Sequence, residues 1–162
     1  MKWLEKIVWY LQLMRIKHHI KNLLIFFPLL FSGRIAEYPI LFKTVVGFFT
    51  FSFVASGLYI INDLRDQEAD SRHPIKKGRA IASHQIQRPH ALFLAFVLFA
   101  VAFGVNFWWN NHFLSWVTLL LYVVINLGYS FGLKNVPLLD ILIIASGYLL
   151  RILFGSAISS IN

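Results

Sequence analysis

The chain has 162 residues, 58% of them hydrophobic and 14% charged, with sixteen Phe, five Trp and no Cys. Such an apolar surplus exceeds what one soluble core of this length needs, which excludes a small soluble domain, and the absent cysteines exclude disulfides and thiolate metal sites. A formal charge of +8 would suit nucleic acid, but in a chain built of long apolar runs it reports topology and anionic head groups, so no nucleic-acid partner is expected.

In chain order, residues 1–21 spread Lys2, Glu5, Lys6, Arg15 and Lys17 among apolar side chains without a small-residue cleavage site. They read as an interfacial amphipathic helix. The apolar run Leu23 to Phe31 is short for a span and needs part of Arg15 to Asn22, or the residues after Gly33, to complete a crossing. Pro39 to Ile61 is long enough, with Lys43 able to snorkel near its outer end. A polar segment, 62–89, follows and is expected to be a catalytic-type loop. Further spans run from about Ala91 to Trp109, Phe113 to Phe131 and Pro137 to Ile158, joined by the tight connections NNH and GLKN. The expectation is an all-α polytopic transmembrane bundle of about five spans forming a single membrane domain, 1–162.

Five Lys and Arg precede Asn22, six lie between Asp63 and Pro89 and one is Lys134, whereas only Arg34 and Lys43 fall on the alternate side. The positive-inside rule therefore puts the N-terminus and the 62–89 loop in the cytoplasm of a multi-pass protein of the cell membrane. Trp108 and Trp109 then fall at the opposite interface.

Four of the seven acidic residues, Asp63, Asp66, Glu68 and Asp70, lie within eight positions directly after an apolar span. On a continuing helix Asp63, Asp66 and Asp70 share one face, Asn62 lies beside Asp66, and Glu68 points elsewhere. Carboxylates about 6 Å apart repel by roughly 3 kcal/mol per pair at an effective dielectric near 20, so the cluster needs a neutralising partner. A divalent cation is the natural one, and with oxygen donors only it is Mg²⁺ or Mn²⁺, whose sites are completed by water and substrate phosphates. Arg72, His73, Lys76, Lys77 and Arg79 follow at once and would supply phosphate-binding charge. A solvated loop whose acids and bases merely pair is the alternative. Asp140 and Arg151 are the ionisable residues inside the last span, where such groups usually face a polar interior. A channel or transporter would carry them through several spans.

The segment NDLRDQEAD fits the first aspartate motif of the UbiA prenyltransferase superfamily, NDxxDxxxD, and the chain resembles that superfamily. Within it, RIKHHIKNLLIFFPLLFSG, DSRHPIKKGRAIAS and YSFGLKNVPLLDILIIASGYLLRILFG most resemble the decaprenyl-phosphate phosphoribosyltransferase branch. The resemblance implies a transmembrane bundle around a cavity in which Mg²⁺ on Asp63, Asp66 and Asp70 holds the diphosphate of a donor. Asn62 is expected to orient them or a donor oxygen, and Tyr129 and Lys134 match the superfamily's Tyr and Lys pair; by position alone, Lys77 and Arg79 are expected to meet donor phosphates and Lys21 a phosphate at the cavity mouth. The implied partners are a polyprenyl phosphate lipid and a diphosphate donor, here 5-phosphoribosyl 1-diphosphate, or in the prenyltransferase alternative a prenyl diphosphate with an aromatic acceptor. Self-association is compatible with this reading. The family's Arg-Pro-x-Gln-Trp opening appears as Arg15, Ile16, Lys17, His18 and His19, and its Arg-Pro-Ile as Arg79, Ala80 and Ile81. Because the family has about nine spans and a second acidic motif, the chain looks like the N-terminal portion of a longer enzyme, either a transferase or a non-catalytic remnant.

Overall fold

A computed structural model describes residues 2–110, 112–132 and 137–161, the side chains of Lys2 and Pro137 excepted. Its helices are α1 (Lys2–Leu13), α2 (Phe27–Phe31), α3 (Tyr38–Arg65), α4 (Gln67–Arg72), α5 (Arg88–Trp109), α6 (Phe113–Ser130) and α7 (Pro137–Ser159), with a 3-10 helix over Ile16–Phe26. The protein is thus an all-α membrane bundle, as expected. Four helices, α3, α5, α6 and α7, are long and apolar enough to cross a bilayer. Proline near the first turn of α3 and of α5 starts each at a position where no N–H partner is lost.

The first expected span is built differently. Instead of one long α-helix, residues 16–31 form the 3-10 helix followed by the short α2. They run antiparallel to α3, the Met14 carbonyl accepting from Ser56 Oγ, Asn22 Nδ2 donating to Ser52 Oγ at 2.8 Å, and the Phe26 ring lying 6.0 Å from that of Phe48. Polar pairings of this kind set the inner face of the segment against protein. At the far end Arg34 makes two hydrogen bonds to Glu37, at 2.7 and 2.9 Å, and these hold the Glu37 carboxyl below its ordinary range.

Helix α3 is the central element, since 61% of its apolar window is buried against 28% for α5, 28% for α6 and 39% for α7. The others alternate in direction around it. Trp109, ending α5, lies 5.8 Å from Phe42 near the start of α3, and Ser130, ending α6, reaches back to Asn62 at 3.1 Å. One core joins Ile25, Phe51, Leu58, Leu119, Tyr122 and Phe154 across the middle of the bundle. A second, at the Asp63 end, joins Leu13 of α1, Ile60 and Leu64 of α3, Ala80, Ile81 and Ile86 of the connection, and Ala91 and Ala95 of α5. Part of the 62–89 segment is therefore pinned to the bundle by apolar side chains. Outward faces of α5, α6 and α7 carry exposed Leu92, Phe93, Phe96, Leu120, Val124, Ile141 and Leu149, as lipid contact demands.

Candidate functional site

The aspartate segment does not continue as one helix. α3 ends at Arg65, Asp66 has non-helical φ and ψ of −85° and 7°, and α4 restarts at Gln67. Asp63 and Asp70 remain together, 5% and 3% exposed, while the Asp66 carboxylate accepts from Asn62 Nδ2 at 3.4 Å. Glu68 is exposed, as its position predicts. Two arginines meet the buried pair. Arg79 Nη1 lies 3.1 Å from Asp63 Oδ1 and 2.6 Å from Asp70 Oδ2, and Arg15 Nη2 lies 2.6 Å from the same Asp63 oxygen.

Each arginine is placed by its neighbours. Arg79 precedes Ala80, Ile81 and Ala82, all buried, so the apolar anchor of the connection delivers its guanidinium to the carboxylates. Arg15 sits between α1 and the 3-10 helix with φ 51° and ψ 45°, a left-handed conformation that costs a bulky residue energy and occurs where surrounding structure enforces it. Its guanidinium also stacks over Tyr59 at 4.7 Å. Beside the pair is a cavity of about 380 Å³ lined by Gln12, Arg15, Asp63, Lys76, Gly78 and Arg79.

On the other side of Arg15 lies a second cavity, of about 300 Å³, lined by Arg15, His18, Lys21, Tyr59, Tyr122, Asn126, Tyr129, Tyr148 and Arg151 among others, none of them acidic. Arg151 is its deepest cation, 6% exposed. Its Nε donates to Asn22 Oδ1 at 2.7 Å, Nη2 to Tyr122 Oη at 3.1 Å and Nη1 to the Gly147 carbonyl, and its guanidinium lies 5.2 Å from the Phe51 and Tyr122 rings. Every one of these partners is neutral, and a membrane-embedded cation solvated only by dipoles and rings favours an anion in the space beside it.

Among the described residues no three His, Asp or Glu side chains converge as a metal site. A cationic group nevertheless stands between Asp63 and Asp70 where a divalent ion would neutralise both, namely Arg79 Nη1. With oxygen donors only, that pair fits Mg²⁺ or Mn²⁺.

Of the other expected site residues, Asn62 is set between Asp66 and Ser130, and Lys21 and Tyr129 line the second cavity, Lys21 stacking 5.8 Å from Tyr148. Lys77 is exposed in a 3-10 turn and does not line the first cavity, where Lys76 and Gly78 stand instead. Lys134 lies outside the described residues. His73 caps its own turn, its Nδ1 accepting from the backbone N–H of Ile75 and Lys76 at 3.2 and 3.3 Å. Sequence reasoning missed Arg15 as a site residue and Tyr122 altogether. The signal for Arg15 was present, since it opens the RIKHH segment; Tyr122 is one aromatic among many on an apolar helix and gave none.

Fold and site thus define a multi-pass integral membrane protein with a carboxylate-arginine cluster at one end of its bundle and a cationic cavity beside it. The model described as the UbiA prenyltransferase family matches residues 23–162, and the chain belongs to that family. It is similar to a decaprenyl-phosphate phosphoribosyltransferase of Mycolicibacterium smegmatis, at 40% identity over 91% of this chain and 47% of the relative. The protein of the same name in Corynebacterium glutamicum is 32% identical over 92% of this chain and 46% of the relative. A nodulation protein, NoeC, of Azorhizobium caulinodans is 33% identical over 99% of this chain and 52% of the relative. The chain spans about half the length of these curated relatives.

Proposed function

We propose that this chain forms the donor-binding part of a Mg²⁺-dependent transferase that moves a phosphoribosyl group from 5-phosphoribosyl 1-diphosphate to a polyprenyl phosphate. The observation that carries the reading is the pair of adjoining compartments sharing Arg15: one lined by the buried Asp63 carboxylate, beside Asp70, and suited to a metal-bound diphosphate, the other cationic and suited to a second anionic substrate. In the reaction the ribose C1–O bond to diphosphate breaks, an oxygen of the lipid phosphate bonds C1, and diphosphate departs.

Asp63, Asp66 and Asp70 would hold the Mg²⁺, which supplies neutralisation of charge on the leaving diphosphate. Asn62 orients Asp66. Arg79, which contacts Asp63 and Asp70, would meet the donor phosphates, with Lys76 lining the same cavity. Arg15 spans both compartments and stabilises charge where they meet, while Lys21, Tyr129 and Arg151 receive the acceptor phosphate. The distribution of Lys and Arg favours a cytoplasmic position for the Asp63 end. Cell-envelope synthesis is the matching role.

Membranes containing the chain are incubated with Mg²⁺, polyprenyl phosphate and labelled 5-phosphoribosyl 1-diphosphate, beside Asp63→Ala. Labelled lipid from the parent and none from the variant is expected; no labelled lipid from either sinks catalysis by this chain alone. The family's own name favours a second reading, prenyl transfer, for which we take the aromatic acceptor that the resemblance implies. Prenyl diphosphate with 4-hydroxybenzoate in the same membranes tests it, and product there without product from the ribosyl donor would replace the first reading.

A further inference from the structure

Away from both cavities, a groove of about 260 Å³ opens on the outer side of the bundle at the Asp63 end, lined by Ile61, Leu64, Arg65, Arg88, Leu92 and Phe131. We propose that this groove binds the head group of an anionic phospholipid, the two guanidiniums taking the phosphate and the apolar floor taking the first carbons of the acyl chains.

Its position is that of a bilayer interface. Arg65 is the last residue of α3, Arg88 the first of α5, and Phe131 follows the last of α6, so three helix ends of the bundle converge on it. Floor and rim differ in chemistry as a lipid does. Leu92 and Phe131 are 55% and 68% exposed, an apolar surface that only acyl chain or another protein would cover. Both cations are exposed and held in place: Arg65 stacks 4.8 Å from the Phe131 ring, and Arg88 Nη1 donates to Gln67 Oε1 at 3.0 Å. Neither belongs to an ion pair among those described, and the lining contains no carboxylate. A held guanidinium loses less freedom on meeting a phosphate than a mobile lysine does, which favours a phosphodiester over diffuse attraction to the surface. Charge selects phosphatidylglycerol-type lipid over zwitterionic lipid, and the continuous apolar floor selects a lipid over free phosphate.

The occupied groove also touches the site from behind. Gln67, which holds Arg88, bonds through Nε2 to the Ile81 carbonyl at 3.3 Å, and Ile81 belongs to the anchor that delivers Arg79. Arg65 itself lies between Asp63 and Asp66, so an anionic lipid in the groove contacts the segment bearing the aspartates directly as well as through Arg88 and Gln67.

The purified chain is exchanged into nanodiscs of equimolar phosphatidylglycerol and phosphatidylcholine and the lipids it retains on release are counted by native mass spectrometry. Preferential retention of phosphatidylglycerol, undisturbed by millimolar inorganic phosphate, is expected. Arg65→Gln with Arg88→Gln lowers that retention by roughly five-fold per arginine, whereas Lys43→Gln, at the other end of α3, leaves it unchanged. Equal retention of both lipids by the parent, or undiminished retention by the double variant, overturns the proposal. Should the double variant lose helicity, a photoreactive phosphatidylglycerol on the parent decides: cross-links to residues 61–65, 88–92 or 131 support the groove, and cross-links confined elsewhere overturn it. None of these readouts depends on transferase activity, so the proposal stands or falls apart from the function proposed above.

Discussion

Arg79 ties two buried carboxylates together through one atom. Its single Nη1 atom serves two carboxylates that are 5% and 3% exposed, and a buried carboxylate stripped of its partner is costly. Arg79→Ala is therefore expected to lower stability by about 3 kcal/mol, read as a fall in melting temperature in detergent. Added Mg²⁺ should recover more of that loss than it adds to the parent, because the ion then enters a space the guanidinium no longer contests. Arg151 makes a different case. Three of its nitrogens donate to Asn22, Gly147 and Tyr122, so its fork, not only its charge, is fixed. Retention of labelled polyprenyl phosphate by the purified chain should fall about tenfold in Arg151→Met, as one charge-assisted contact is lost, and Arg151→Lys should recover only part, since an ammonium cannot reproduce the fork.

Among the elements, the 3-10 helix over Ile16–Phe26 is the unusual one, because such runs rarely exceed three or four residues. It carries Lys21 and His18 to the cationic cavity and Asn22 to Arg151. Its place is set by a close approach to α7, where a Cβ on Gly155 would overlap the carbonyl oxygen of Ile25. Backbone cannot yield as a side chain can. Gly155→Ala should cost roughly 1 to 3 kcal/mol and separate Asn22 from Arg151, whereas Gly104→Ala, with open space around it, should leave the melting temperature unchanged or slightly higher. Thermal unfolding of the two variants side by side checks the contrast. The aspartate motif was legible as a carboxylate cluster but not as a geometry. Helical spacing placed Asp63, Asp66 and Asp70 on one face, whereas the break at Asp66 keeps Asp63 and Asp70 together and turns Asp66 to Asn62.

For the whole molecule, the absence of cysteine makes topology directly testable. Single cysteines at Ser32 and at Ser71, in intact cells or sealed vesicles, should react with an impermeant maleimide from opposite sides, Ser71 from the cytoplasmic one; labelling of both from one side would remove the proposed orientation. The sequence by itself determined the membrane class, four of the spans, the family and the carboxylate cluster, because these rest on length, hydropathy and local spacing, which neighbours in the chain specify. Tertiary structure alone decided that the short run before Gly33 becomes a 3-10 helix beside α3, that Arg79 reaches the aspartates by way of the buried Ala80 and Ile81, and that Arg15 and Arg151 face a common cavity. Those outcomes depend on which residues far apart in sequence bury each other, a choice that apolar periodicity does not encode. So it is with Asp63 and Asp70: their spacing called for a neutralising partner, and only the folded chain shows Arg79 Nη1 between them.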